Sequence, residues 1–343
     1  MFGLSPLPRT LSAALRDAKH TKFEVRLSAI RDLARLCAGS DRERAIEALG
    51  AALADDAAPG VRAEAAVALA DVGAKESVMA LLPRLEDEHE RVRQMALLAL
   101  GELAEPGDPA ALQAVRKALA DELPAMRFQA LIALNRLLGA ASSNTLVEGT
   151  RDPDPEVRHV ALRLLEERWT DSKSVPPLVL QRARALLRDD VGSVRLAAAI
   201  LLSRLGDGSG GELIAAAVNG RERIVFPEDE HAALELCGEL RLEAARPGLL
   251  SRAFGSFGFS RHPFRWQACV ALARLGDARA KRAILRGLQS WTRDGRTLAV
   301  AAAGHARIAE ATATIREMSA HPERADPGTV AEALALLEAA PGG

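Results

Sequence analysis

The residues that could act as nucleophiles, general bases or metal ligands are few and scattered along this chain. Its histidines are His20, His89, His159, His231, His262, His305 and His321. No two stand three or four residues apart, the spacing that would place two imidazoles on one helical face around a metal. The cysteines, Cys37, Cys237 and Cys269, are odd in number and form no CxxC pair. Cys37 and Cys269 lie inside apolar helical patterns, so buried thiols in a reducing compartment are expected. No nucleophile elbow, P-loop or dinucleotide fingerprint occurs, and the glycines of 206–211 lack the adjacent Lys-Ser/Thr of a phosphate cradle. The expectation is a non-catalytic protein with no cofactor and no metal.

Composition narrows the elements that position these side chains. The chain has 343 residues, 48 % of them hydrophobic. That is more than one compact core usually holds, so two domains or a repeat array are expected. Tyrosine is absent and aromatics are 3 %, leaving Ala, Leu and Val to build a core suited to close helix packing. The formal net charge of -1 does not point to nucleic acid or an acidic membrane. No apolar run approaches the ~18 residues of a membrane span. The opening MFGLSPLPRTL has neither a basic leader nor a long apolar segment, so a cytoplasmic location is expected. Only six of the 45 basic residues are lysine, and the excess of Arg and Ala suggests a GC-rich bacterial genome.

An internal repeat organises the chain. Apolar-Arg pairs recur at Val25-Arg26, Val61-Arg62, Val92-Arg93, Met126-Arg127, Val157-Arg158, Val194-Arg195 and Phe264-Arg265. Counting from each arginine, +3 is alanine (Ala29, Ala65, Ala96, Ala130, Ala161, Ala198, Ala268) and +7 is leucine (Leu33, Leu69, Leu100, Leu134, Leu165, Leu202, Leu272). Position +10 is Leu36, Val72, Leu103, Leu137, Leu205 or Leu275, and only the fifth repeat departs, with Arg168. Positions -1, +3, +7 and +10 form one stripe of an α-helix. Gly73, Gly139, Gly206 and Gly276 stand where left-handed C-caps would end these helices. A shorter helix precedes each pair, as at 43–54, 77–85 and 109–120. The arginines from Arg26 to Arg195 are 36, 31, 34, 31 and 37 residues apart, and the next gap, to Arg265, is 70. A degenerate repeat fills that gap, with Ala233, Cys237 and Leu240 on the stripe and Glu230 in the arginine slot. Two more helix pairs follow. The expected organisation is regular repeats one to six over 1–205, then irregular repeats seven to ten over 206–343 with a C-terminal capping helix.

The motif D-x(4)-V-R-x-x-A-x-x-x-L-x-x-L-G, at 56–73, 152–165 and 189–206, resembles the HEAT-repeat family, in the short bacterial form also known from phycobilin-lyase-type repeats. The resemblance covers essentially the whole chain. It implies an all-α fold, a right-handed α-solenoid of about ten HEAT-like helix pairs. It also implies a structural ladder in which Arg62, Arg93, Arg127, Arg158 and Arg195 each bond an acidic residue of a neighbouring repeat. One HEAT enzyme family holds two irons with His-Glu pairs, but His89-Glu90 is the sole such dipeptide here. HEAT-like DNA glycosylases place carboxylates and tryptophans in the concavity; Trp169, Trp266 and Trp291 are present, with nothing to show convergence on a base.

Two surfaces are candidates for binding. On each Val-Arg helix, +1, +5, +8 and +12 point away from the stripe, toward what the resemblance implies is the concave side. Val67, Leu98, Phe128, Ile132, Leu196, Ile200 and Trp266 occupy these rows. They form either a protein-binding groove or side chains buried between tightly curved repeats. The second surface is the aromatic and basic segment 251–266, with Arg252, Phe254, Phe257, Phe259 and Arg261 in a long loop. It lies within residues 241–307, where 13 Lys/Arg face three acids, a net of +10. The loop either plugs the irregular seventh repeat or docks an acidic partner. The expected function is an adaptor or regulatory scaffold that binds another protein through its concave surface, with no membrane partner. The alternatives are a nucleic-acid binder using 241–307 and a HEAT-type lyase or glycosylase.

Overall fold

Alanine, leucine and arginine are strong helix formers, and the chain folds accordingly. The computed structural model describes residues 9–170, 172, 174–255 and 262–339, and every regular element among them is an α- or 3-10 helix. In chain order the α-helices are α1 (Leu11–Asp17), α2 (Phe23–Leu36), α3 (Arg42–Asp55), α4 (Pro59–Asp71), α5 (Val78–Leu81), α6 (Glu90–Leu103), α7 (Pro109–Ala118), α8 (Pro124–Leu138), α9 (Ser143–Gly149) and α10 (Pro155–Trp169). They continue as α11 (Pro177–Leu186), α12 (Gly192–Arg204), α13 (Gly211–Val218), α14 (Pro227–Glu239), α15 (Arg246–Phe254), α16 (Arg265–Arg274), α17 (Ala278–Gly287), α18 (Arg293–His305), α19 (Thr312–Ser319) and α20 (Pro327–Glu338). Proline opens α4, α7, α8, α11, α14 and α20, where its missing N–H costs nothing. Gly73, Gly206 and Gly276 follow α4, α12 and α16 with positive φ, as left-handed helix ends require.

Consecutive helices pack in pairs among the described residues, an all-α solenoid, and the chain divides into two compact units, 1–168 and 169–343. In the first unit α2 packs on α4, α4 on α6 and α6 on α8; in the second α12 packs on α14, α14 on α16, α16 on α18 and α18 on α20. The odd-numbered helices cover the other side of each pair. The stripe is the core: Val61, Ala65 and Leu69 are fully buried, and so are all seven +3 alanines. Small side chains at +3 and +8 let neighbouring helices approach closely. A Cβ added at Gly101 (+8) would lie 2.7 Å from the Cβ of Ala133, and one at Gly304 2.7 Å from the Cα of Ala333. Gly238 meets the Cα of Ala271 in the same way, at 2.8 Å. At these three positions the +8 residue packs on the next repeat, a contact that helical phase alone did not suggest.

Arg168, the fifth repeat's departure at +10, has a local reason. Its Nη2 donates to Oδ1 of the buried Asn135 at 2.9 Å, and Ser142 Oγ donates to the same oxygen at 3.0 Å. A polar bridge replaces the leucine.

Candidate functional site

The repeat arginines act inside the array. Arg62 donates through Nη1 to the Asp56 carbonyl at 2.9 Å and grips the Asp87 carboxylate through Nε and Nη2 at 2.9 and 2.8 Å. Arg127 does the same with the Asp121 carbonyl (2.9 Å) and Asp152 (2.8 and 2.7 Å), and Arg26 with the His20 carbonyl (2.9 Å) and Asp56 (2.7 and 2.8 Å). Arg195 reaches the Asp189 carbonyl at 2.7 Å and both oxygens of Glu222 at 2.9 and 2.8 Å. Each aspartate also accepts the N–H two residues on: Ala58 to Asp56, His89 to Asp87, Asp154 to Asp152. Burial alone would raise these three carboxyls. The arginine forks, with those N–H groups, outweigh it and hold Asp56, Asp87 and Asp152 below the ordinary carboxylate range. Arg158 donates to the carbonyls of Asp152 and Pro153.

Arg93 breaks the pattern. Its Nη1 donates to the carbonyls of Asp87 and Glu88, but no carboxylate among the described residues pairs with it. It lines an open cleft of about 1290 Å³ bordered by His89, Lys117 and Asp121. One wall of the cleft is the 3-10 helix Leu82–Glu86, into which the single-turn α5 passes.

The aromatic and basic segment divides. Arg252 was a candidate for partner contact, and the structure corrects this: it is held internally. Its Nε donates to Glu230 Oε1 at 2.7 Å and its Nη1 to the Val218 and Gly248 carbonyls. Glu230 stands in the motif-arginine slot, so in the seventh repeat the ion pair is kept with its signs exchanged. Phe254 is half-buried against the core, with the Arg279 guanidinium 4.0 Å from its ring centre, so it too is packed. Phe257, Phe259 and Arg261 lie outside the described residues.

The outward rows also divide. Leu196 and Ile200 were candidate groove residues, and the structure corrects both, for they are 1 % and 0 % exposed. The cause is local: α12 is apolar nearly all round, with every residue from Leu196 to Ser203 buried. Val67, Leu98, Phe128 and Ile132 are half-buried. Trp266 is half-buried too, under the Arg265 guanidinium at 4.7 Å, and lines a cavity of about 210 Å³. Val270, Leu298, Ala301 and Ala302 complete its apolar wall; Leu298 is 51 % exposed at the mouth. The Oε1 of Gln267 is buried there without a hydrogen-bond partner. His231, Glu235, Arg274 and His305 form the rim. Burial would raise the Glu235 carboxyl, but the hydrogen bond and charge of Arg204 outweigh it, with His231 and Arg274 adding to the effect, and its pKa is lowered. Sequence reasoning named only Trp266 here. The remaining wall lies at +1, +2, +5, +6 and +9 of α14, α16 and α18. Taking +9 for +8 recovers Arg274 and His305, whereas Gln267, Leu298 and Ala302 stand at +2 and +6, outside the rows that helical phase singled out.

No group of three His, Cys, Asp or Glu among the described residues could hold a metal ion. No described helix is long and apolar enough to cross a membrane. Burial pushes the Cys237 thiol up to about 12, and Cys37 upward as well.

Comparison with known proteins bears on the fold. A family model described as HEAT repeats matches residues 46–135 and 78–166. An X-ray structure of YibA from E. coli is 18 % identical, covering 79 % of this chain and 93 % of that one, with a TM-score of 0.52. The CpcE–CpcF complex of phycocyanin lyase from Nostoc sp. PCC7120 is 22 % identical over 72 % of this chain and 96 % of that one, with a TM-score of 0.43. At these identities the likeness is one of fold alone. No curated protein matches the sequence.

Proposed function

The chain is a HEAT-repeat protein, and from that premise we propose that it is a non-catalytic cytoplasmic scaffold that binds another protein on the exposed face of its even-numbered helices. The observation that carries this reading is the Trp266 cavity. At about 210 Å³ it is smaller than the roughly 300–1,000 Å³ of small-molecule sites. It suits one large side chain of a partner, an anchor of the kind that dominates protein interfaces. The unpartnered Gln267 Oε1 would accept an N–H from that anchor, relieving the cost of a buried unmet acceptor. The half-buried strip Val67, Leu98, Phe128 and Ile132 is a second stretch of the same kind of surface in the first unit.

The test is affinity capture with mass spectrometry, followed by binding of the purified partner to variants. Leu298→Glu should weaken that binding by about 10-fold or more, since it places a charge at the mouth of an apolar site. The helical circular dichroism signal should not change. Leu98→Glu with Ile132→Glu measures the strip's share. If the partner binds Leu298→Glu as tightly as the parent, the cavity is not the anchor site.

A further inference from the structure

Among the described residues, two that are not glycine hold a left-handed backbone: Arg241 at φ 52° and Arg307 at φ 51°. Both occupy the residue after a helix end that is Gly73, Gly206 or Gly276 in other repeats. An L side chain is strained there, which explains the usual glycine. Two repeats therefore carry arginine where backbone geometry asks for glycine. Neither guanidinium is engaged: both side chains are exposed, and no described residue bonds or pairs with them.

They share a cavity. Arg241, Arg307 and Arg274 line one open cleft of about 510 Å³ at the C-terminal ends of α14, α16 and α18. Arg274 is fixed by donating to the His305 carbonyl at 2.9 Å and stands 3.5 Å from Glu239. The other lining residues, Gly238, Ala273 and Ala306, are small enough for a chain to lie close. Three guanidinium groups, one per repeat, face one carboxylate, within the segment 241–307 that carries a net of +10. Arg274 also lines the rim of the Trp266 cavity, so the two sites adjoin.

We infer that this cleft docks an extended acidic segment of a partner protein, one carboxylate to each of Arg241, Arg274 and Arg307. This rests on the reading that the chain binds a protein and names the chemistry of that partner beside its anchor. Carboxylate suits the cleft better than a nucleic-acid strand. No aromatic ring lines it to stack a base. Glu239 beside Arg274 already makes the kind of contact proposed.

The experiment uses the full chain and a fluorescein-labelled poly-glutamate peptide, followed by anisotropy. Binding should weaken steeply as salt rises, and Arg241→Gly with Arg307→Gly should weaken it ~10-fold or more, because two of three charge-assisted pairs are gone. The same double variant should melt higher than the parent, since glycine relieves the strained backbone. Leu298→Gln, which puts a polar but uncharged group at the mouth of the neighbouring cavity, should still bind the peptide, so failure of the anchor site and failure of the acidic cleft are read separately. Unchanged peptide affinity in the double glycine variant would overturn the inference. So would a lower melting temperature, which would show the two arginines to be structural. Tighter binding of a poly-dT oligonucleotide, lost in the same variant, would reassign the cleft to nucleic acid.

Discussion

At Arg62 a single side chain meets two different acceptors, the carbonyl of its own loop and the Asp87 carboxylate of the next repeat. The two side chains are 8 % and 4 % exposed, so removing either strands a buried opposite charge. Arg62→Ala should cost ~3 kcal/mol or more, and Arg127→Ala ~2 kcal/mol or more for the same reason. Arg93→Ala should cost only ~1 kcal/mol, because its fork meets two carbonyls and no carboxylate. Urea denaturation of the three variants measures the difference. Equal losses at Arg62 and Arg93 would show that the carboxylate contributes nothing.

Between elements, the distance of closest approach is set by what stands at +8. Gly101→Ala exchanges a poor helix former for the best one, a gain of ~1 kcal/mol on propensity. Its new Cβ, however, falls 2.7 Å from Ala133 Cβ, and α6 and α8 must separate. The net result should be a loss of ~1–2 kcal/mol. Gly50→Ala, in the middle of α3 with nothing within 4 Å of the added carbon, should instead stabilise by ~1 kcal/mol. Opposite shifts in melting temperature are expected, and a rise at both positions would mean that the helices are not in contact at Gly101. This element-level fact is what sequence phase alone misjudged. Helical geometry places +8 on the outer arc, but the crossing of neighbouring helices turns it inward.

For the whole molecule, the ladder predicts how stability responds to acid. Asp56, Asp87 and Asp152 are held below their ordinary pKa in the folded state. Such groups stabilise the fold at pH above the unfolded value, ~3.9, and that contribution is lost as pH falls through the lower folded values. Melting temperature should change little between about pH 7 and about pH 5, then fall steeply below about pH 4. Asp87→Asn should shift less over the acidic range than the parent, having lost one of the responsible groups. A melting temperature independent of pH down to about pH 3 would show that the aspartates are not depressed.

Much of this molecule is decided by spacing that can be read along the chain. The stripe Val61, Ala65, Leu69 and its copies determine helix, repeat length and core, because a 3.6-residue period and a fixed 31–37-residue register are local properties. Arginine in the place of glycine at 241 and 307 is likewise visible in that register. Tertiary structure decided the rest. That Leu196 and Ile200 are buried, that Glu230 finds its counter-charge 22 residues on in Arg252, and that Trp266, Gln267 and Leu298 enclose one cavity depend on how neighbouring helices cross. A periodic pattern shows which face of a helix is apolar. Which parts of the opposite face stay open depends on the volume of side chains from other repeats, fixed only when those repeats pack.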